Sequence, residues 1–184
     1  MTLVYLDTSV WIARFWTHDR HHQKTIPIFR SIRNGTYTVL ITHHILNEIA
    51  EVIKKKTILN LKRLNNSSDN DYKNIYQTKL TTLLNIILRL PNVRIQNPNV
   101  STDKILQPSF NVMQRNAVQI SIDNNCPICR NAYNFWDYDA PDERDILHGL
   151  LAVELGCDLL ITFDSDYRCL QNEPEFSTLA ISIL

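Results

Sequence analysis

Glycine is nearly missing from this chain, at three residues among 184. That leaves no room for a phosphate loop of the GxxxxGK[ST] or GxGxxG kind, whose glycines let backbone amides approach a nucleotide. The commonest nucleotide-binding readings fall with it. Net charge is missing as well, with 19 Lys and Arg against 19 Asp and Glu. A protein that holds nucleic acid by bulk charge neutralises phosphates with many basic side chains, and no such excess is present. An enzyme that touches a few phosphates through a metal escapes that exclusion. No apolar run approaches the roughly 18 residues of a membrane span. The N-terminus enters a strand without the basic n-region of a secretory signal. Only four cysteines occur, which reads as a reducing compartment, with Cys157 and Cys169 as small core residues. The expectation is a soluble, cytoplasmic protein with no membrane association. The length fits a single domain over 1–184, large enough to bury its own core.

What is present is apolar periodicity that ends in acids. Ile146, Leu147, Leu150, Leu151 and Leu155 share one face of a 3.6-residue period, predicting a helix over about 140–155 that Gly156 stops. Leu159-Leu-Ile161 is short, apolar and uninterrupted, as a strand covered on both faces would be. Asp164 and Asp166 follow its end. Leu3-Val-Tyr-Leu6 is another apolar strand and delivers Asp7. Ligands of open parallel sheets bind outside the carboxyl ends of the strands, so acids at two strand ends make a site hypothesis.

The remaining elements follow from caps and breakers. Thr8 or Ser9 can cap a short helix through Phe15 or Trp16. His18 to Arg33 predicts a second helix, broken near its start by Pro27 and closed by Asn34-Gly35. Tyr37 to Ile41 is a β-branched and aromatic strand, and Thr42 caps a helix running to about Leu64. Asn65 to Asn70 is a turn by composition. Tyr72 to Leu90 is helical, with Ile75, Tyr76, Leu80, Leu83, Leu84, Ile87 and Leu88 at helical spacing, and Pro91 stops it. These two long helices make an αα-hairpin at about 43–90. Val93-Arg-Ile95 and Thr178 to Ile183 are the last strand candidates. Residues 97–140 carry prolines at 98, 108 and 127 and show no clean period beyond a helix near 110–122. Strands alternating with helices predict an α/β fold, its central sheet mainly parallel, four- to five-stranded and flanked by helices.

Glu48 lies at the margin of the apolar stripe of its helix, and Glu51 further into solvent. A half-buried carboxylate at such an edge is where a metal ligand would stand. Asp145 projects away from the apolar face of its helix, and its case rests on location at the sheet end; Asp142 is its rival. Clustered carboxylates repel, and burial together raises at least one pKa unless a cation neutralises them. Hard oxygen ligands select Mg²⁺ or Mn²⁺ over zinc. Phosphodiester hydrolysis is the reaction such a site suits best.

Leu6-Asp-Thr-Ser-Val10, Thr42-His-His-Ile-Leu-Asn-Glu48, Asp145-Ile-Leu-His148 and Thr162-Phe-Asp-Ser-Asp-Tyr167, in this order and at these spacings, resemble the PIN-domain family of metal-dependent ribonucleases. Within it the chain resembles the toxins of VapBC-type toxin–antitoxin pairs. The resemblance covers about 1–95 and 140–184, with 97–140 as an extra segment. It implies a PIN-like fold and an acidic catalytic and metal site of Asp7, Glu48, Asp145 and Asp164. Asp166 would be an auxiliary metal acid, with Thr8 or Ser9 and Thr162 as polar neighbours. It further implies a single-stranded RNA substrate, Mg²⁺ or Mn²⁺, an antitoxin seated in a groove of the helices around 11–33 and 45–90, and a homodimer.

Plainer roles stand beside these. Asp7 could cap the next helix, Glu48 could be a surface glutamate, and Asp145 could favour its helix dipole. Asp166 suits a solvated turn, and His148 suits a partner that orients a carboxylate. Cys126-Pro-Ile-Cys129 is half a structural zinc site, a redox pair, or two plain thiols. Lys54-Lys-Lys56 with Lys62-Arg63 is a solvated helix face or a guide for an RNA backbone. Two competing functions remain. One is a PIN-like binding module for RNA or protein that uses 97–140 as its surface. The other is a phosphatase with Asp7 as nucleophile, for which Ser9 stands where a second acid is wanted.

Overall fold

A computed structural model describes residues 1–64, 69–99, 102–123 and 143–184, without the side chains of 59–64, 69–70, 102–103, 116–123 and 143. In chain order the elements are β1 (Thr2–Leu6), α1 (Thr8–Phe15), α2 (His22–Arg33), β2 (Tyr37–Ile41), α3 (His43–Leu64), α4 (Asp69–Arg89), β3 (Val93–Ile95), α5 (Thr102–Asp123), α6 (Glu143–Glu154), β4 (Leu159–Thr162) and β5 (Ala180–Ile183). They belong to two compact units, residues 8–97 and residues 2–7 with 98–184. The five strands all pair in parallel and helices accompany them in both units, the α/β class that the alternation of elements predicts. Among the described residues, no helix is long and apolar enough to cross a membrane.

In the first unit β2 and β3 pair with Val39 opposite Val93 and Ile41 opposite Ile95. β2 is flanked by readable caps on the helices before and after it. Gly35, at φ +80°, takes the left-handed conformation that ends α2, and its N–H donates to the Ile32 carbonyl at 3.3 Å. Thr42 Oγ1 accepts from the Ile45 N–H at 3.3 Å and so caps α3 as its sequence position predicts. Trp11 and Phe29 meet edge-on at 5.4 Å between ring centroids, inside a core with Val10, Ile32, Ile45, Ile49 and Ile53. The αα-hairpin is present, since α3 packs on α4. Its connection at 65–68 lies outside the described residues, and 69 and 70 already belong to α4. Leu83 and Ile87 are buried on α4, whereas Leu88, placed on the apolar face by spacing, is 62% exposed.

Two helix boundaries differ from expectation for one reason. Pro27 sits inside α2, which starts at His22, and does not break it. A proline within the second turn removes a single internal bond, the one to the Gln23 carbonyl, and burial of Ile28, Phe29 and Ile32 on the same helix offsets that loss. Pro108 likewise sits inside α5, which begins at Thr102 where a helix was expected only from about 110. Burial of Ser109 and Val112 and packing of α5 on α6 offset the missing N–H.

In the second unit β4 lies between β1 and β5, with Tyr5 opposite Leu160 and Leu160 opposite Ile181. The last strand begins at Ala180, later than Thr178, because the preceding residues close a turn through Leu179 N–H to the Phe176 carbonyl. The end of α6 follows its sequence closely. Gly156, at φ +67°, donates to the Val153 carbonyl at 2.9 Å, and Cys157 donates to the Ala152 carbonyl at 2.9 Å, the paired bonds of a Schellman stop. Gly149, inside the same helix, lies so close to Phe176 that a Cβ there would stand 2.6 Å from ring atom Cε1. Arg115 of α5 pairs with both Glu173 and Glu175, fastening α5 to the segment before β5. Cys157 is buried, and burial, with the Asp158 carboxylate beside it, pushes its thiol up to about 12. Such a thiol is inert at neutral pH, as a core residue should be.

Candidate metal centre

Parallel pairing brings the carboxyl ends of β1 and β4 together, and the acids follow from that. Asp7 comes directly after β1, and its N–H donates to the Ile161 carbonyl at 3.0 Å. The residue is buried, at 6% exposed. Oδ2 accepts from the Thr162 hydroxyl at 2.9 Å, and Oδ1 from the Tyr167 hydroxyl at 3.5 Å. Thr162 is fully buried at the end of β4. Its Oγ1 also accepts from the Asp164 N–H at 2.9 Å. One hydroxyl therefore fixes a carboxylate on one strand end and the backbone of an acid on the other.

Asp164 opens a 3-10 stretch, Ser165–Asn172, as its N-cap, accepting from the Asp166 N–H at 3.0 Å. This Asx-type bond turns the chain so that the second acid follows the first closely. From the first turn of α6, Asp145 meets them. One carboxylate oxygen each from Asp145, Asp164 and Asp166 lies within 4.8 Å of the others, and all three residues are half-buried. Three like charges at that spacing repel unless a cation neutralises them.

His148 stands one helical turn after Asp145 and is buried. Its Nδ1 shares a hydrogen bond of 3.1 Å with the Tyr5 hydroxyl, and its Nε2 lies 4.0 Å from Asp7 Oδ1. Sequence reasoning missed Tyr5 and Tyr167. Tyr5 carried a signal, being two residues before Asp7 and so on the same face of the strand. Tyr167 carried none until the 3-10 turn was known.

Glu48 belongs to the first unit. On α3 it is half-buried, its Oε2 accepting from the Thr8 hydroxyl at 2.6 Å and its Oε1 lying 3.5 Å from His44 Nε2. Thr8, the first residue of α1, thus donates its hydroxyl to a carboxylate, as the polar neighbour of the acids that the resemblance implies. Of the acids singled out, the second unit holds Asp7, Asp145, Asp164 and Asp166, and it clusters the last three. The rival Asp142 and the pair Cys126 and Cys129 lie outside the described residues, as do the side chains of Lys62 and Arg63.

The clustered groups fit a hard divalent cation. Every donor at the cluster is a carboxylate oxygen, the ligand type that Mg²⁺ and Mn²⁺ take. Cys169, the nearest sulfur by sequence, directs its thiol to the Asp166 carbonyl at 3.1 Å.

Comparison with known proteins bears on the same residues. Two solved structures align with this chain at low identity. The VapBC2 complex of Rickettsia felis, bound to a DNA fragment from its promoter, aligns at TM-score 0.49 and 13% identity over 98% of both chains. VapC20 of Mycobacterium tuberculosis, a sarcin-ricin loop cleaving toxin, aligns at TM-score 0.44 and 13% identity over 85% of this chain and 86% of its own. No curated protein matches the sequence. The PIN domain family model matches residues 3–166, which takes in Asp7, Glu48, Asp145, Asp164 and Asp166. The chain belongs to the PIN-domain family.

Proposed function

We propose that this protein is a divalent-metal-dependent endoribonuclease that hydrolyses phosphodiester bonds in single-stranded RNA. The observation that carries the reading is the cluster of Asp145, Asp164 and Asp166 within 4.8 Å at a strand end, in a chain of the PIN family. Asp7, Asp145, Asp164 and Asp166 would hold Mg²⁺ or Mn²⁺, and Glu48 is proposed as the further catalytic acid. When bound, such an ion supplies Lewis acidity at a phosphate and activates water as nucleophile. The protein's own part is positional. Thr162 and Tyr167 hold the Asp7 carboxylate, His148 stands against its Oδ1, and the Asp164 side chain fixes Asp166 through its amide. Thr8 sets the rotamer of Glu48. Side chains locked in this way need little reorganisation as charge develops.

The proposed setting is a cytoplasmic toxin of a VapBC-type pair, acting as a single domain and as a homodimer. A cavity of about 320 Å³ in the first unit supports a protein partner. Phe15, Trp16, Ile53, Leu83 and Ile86 line it, Lys79 stands among them, and Lys56 lies 4.5 Å above the Trp16 ring. An acidic amphipathic antitoxin helix would match both the apolar walls and the lysines. A binding module is the second reading. Leu106 and Phe110, each 60% exposed, and Met113, 42% exposed, make an apolar stripe on α5 that favours it.

The test is cleavage of total cellular RNA in Mn²⁺ by the wild type and by Asp145→Asn. Cleavage by the wild type that falls at least a hundredfold in the variant is expected. Equal cleavage by both removes Asp145 from the site, and absence of cleavage in both favours the binding module.

A further inference from the structure

The carboxyl ends of β2 and β3 carry a second polar arrangement that the acids do not use. Gln96 donates its N–H to the Ile41 carbonyl at 3.0 Å, which ties the two strand ends. Directly beyond that bond, Asn97 and His43 are joined twice. Asn97 Oδ1 accepts from the His43 N–H at 2.9 Å, and Asn97 Nδ2 meets His43 Nδ1 at 2.8 Å. An amide NH₂ is only a donor, so Nδ1 must offer its lone pair and the ring proton resides on Nε2. The second bond also fixes the plane of the ring. Both residues are exposed, and Nε2 has no protein partner among the described residues.

An asparagine that orients an exposed imidazole and sets its tautomer leaves one aimed N–H donor facing solvent. We propose that His43 Nε2–H donates to a phosphate oxygen of the single-stranded RNA substrate, with Asn97 as the positioning residue that holds the ring. The inference rests on the nuclease reading and adds a substrate contact to it. A single aimed N–H donor suits a chain with no surplus of basic residues. A backbone contact of this kind positions the strand and carries no sequence preference. Lys54 and Lys55, farther along α3 and exposed, add charge and no fixed direction.

Two measurements test it together. The first is steady-state cleavage of a fluorescently labelled single-stranded RNA in Mn²⁺. His43→Ala should raise KM about three- to tenfold, the worth of one ordinary hydrogen bond, with kcat within about twofold. His43→Gln, which keeps a donor, should recover part of the loss, and Asn97→Ala should raise KM by less than His43→Ala. In the double variant Asn97→Ala should add nothing further, because it acts through a ring already gone. The second is a long-range ¹H–¹⁵N spectrum of the imidazoles without RNA, which should read Nε2–H for His43 in the wild type and a mixture of tautomers in Asn97→Ala. An unchanged KM in His43→Ala while the wild type cleaves overturns this inference alone. A wild-type Nδ1–H tautomer also overturns it. A wild type that does not cleave overturns the nuclease reading, and this contact falls with it.

Discussion

Replacing Thr162 by Val keeps the shape of a fully buried side chain and removes its one hydroxyl. Two hydrogen bonds go with it, the donation to Asp7 Oδ2 at 2.9 Å and the acceptance from the Asp164 N–H at 2.9 Å. A bond to a charged carboxylate contributes about 1.5–3 kcal/mol, and stranding an amide costs about 1 kcal/mol when it is half-buried. The added methyl returns about 0.8 kcal/mol of apolar transfer. The expected net loss is about 2–3 kcal/mol. For a chain of this length that corresponds to roughly 5–10 °C in Tm. Thr162→Ser keeps both bonds and gives up one methyl, so it should lose only about 1 kcal/mol. Urea unfolding, followed by circular dichroism and by tryptophan fluorescence, measures the three proteins. A valine variant as stable as the serine variant refutes the idea that this hydroxyl braces the acids. Cleavage should fall in parallel, with the valine variant below the serine variant.

Gly149→Ala is expected to destabilise the fold by about 1 kcal/mol, because about 1–3 kcal/mol of overpacking against Phe176, at 2.6 Å, outweighs about 1 kcal/mol of helix propensity. In a Phe176→Leu background the same substitution should cost less, and thermal melts of the four proteins decide it. Cys157 should resist iodoacetamide at pH 8 in the folded protein and react in urea, as read by peptide mass mapping. Its folded thiol is raised from 9.0 to about 12, so the unfolded chain holds fewer protons in between. Stability should therefore fall as pH rises from about 9 towards 12, and Cys157→Ala should flatten that slope.

The strands and most helices were legible because their signals are local. The Gly35 and Gly156 stops, the Thr42 cap and the apolar runs at 3–6 and 159–161 each depend on neighbours a few residues away. The two prolines misled because their cost is also local while its compensation is not. Packing of α5 on α6 is invisible in the sequence around Pro108. The acids were legible as strand-end carboxylates, yet their braces were only partly so. Thr162 and His148 could be named as neighbours, but the bond from Tyr167 to Asp7 spans 160 residues, and no spacing rule reaches that far. Thr8 was open to two roles, helix cap or neighbour of the acids, and a hydroxyl at a helix start looks alike in sequence for both; its bond to Glu48 shows the second.

The compact unit that carries most of the acids is discontinuous, built from residues 2–7 and from everything after 97. Synthesis proceeds from the amino end, so Asp7 emerges first and waits for Thr162 and Tyr167. β1 finds its partner β4 only when Leu159–Thr162 has been made. Loop closure over such a separation is slow compared with helix formation nearby. A chain cut short before β4 has Asp7 without the hydroxyls that hold it and lacks Asp164 and Asp166 altogether. Order of translation thus delays the acidic centre until residues well beyond the first unit have been made.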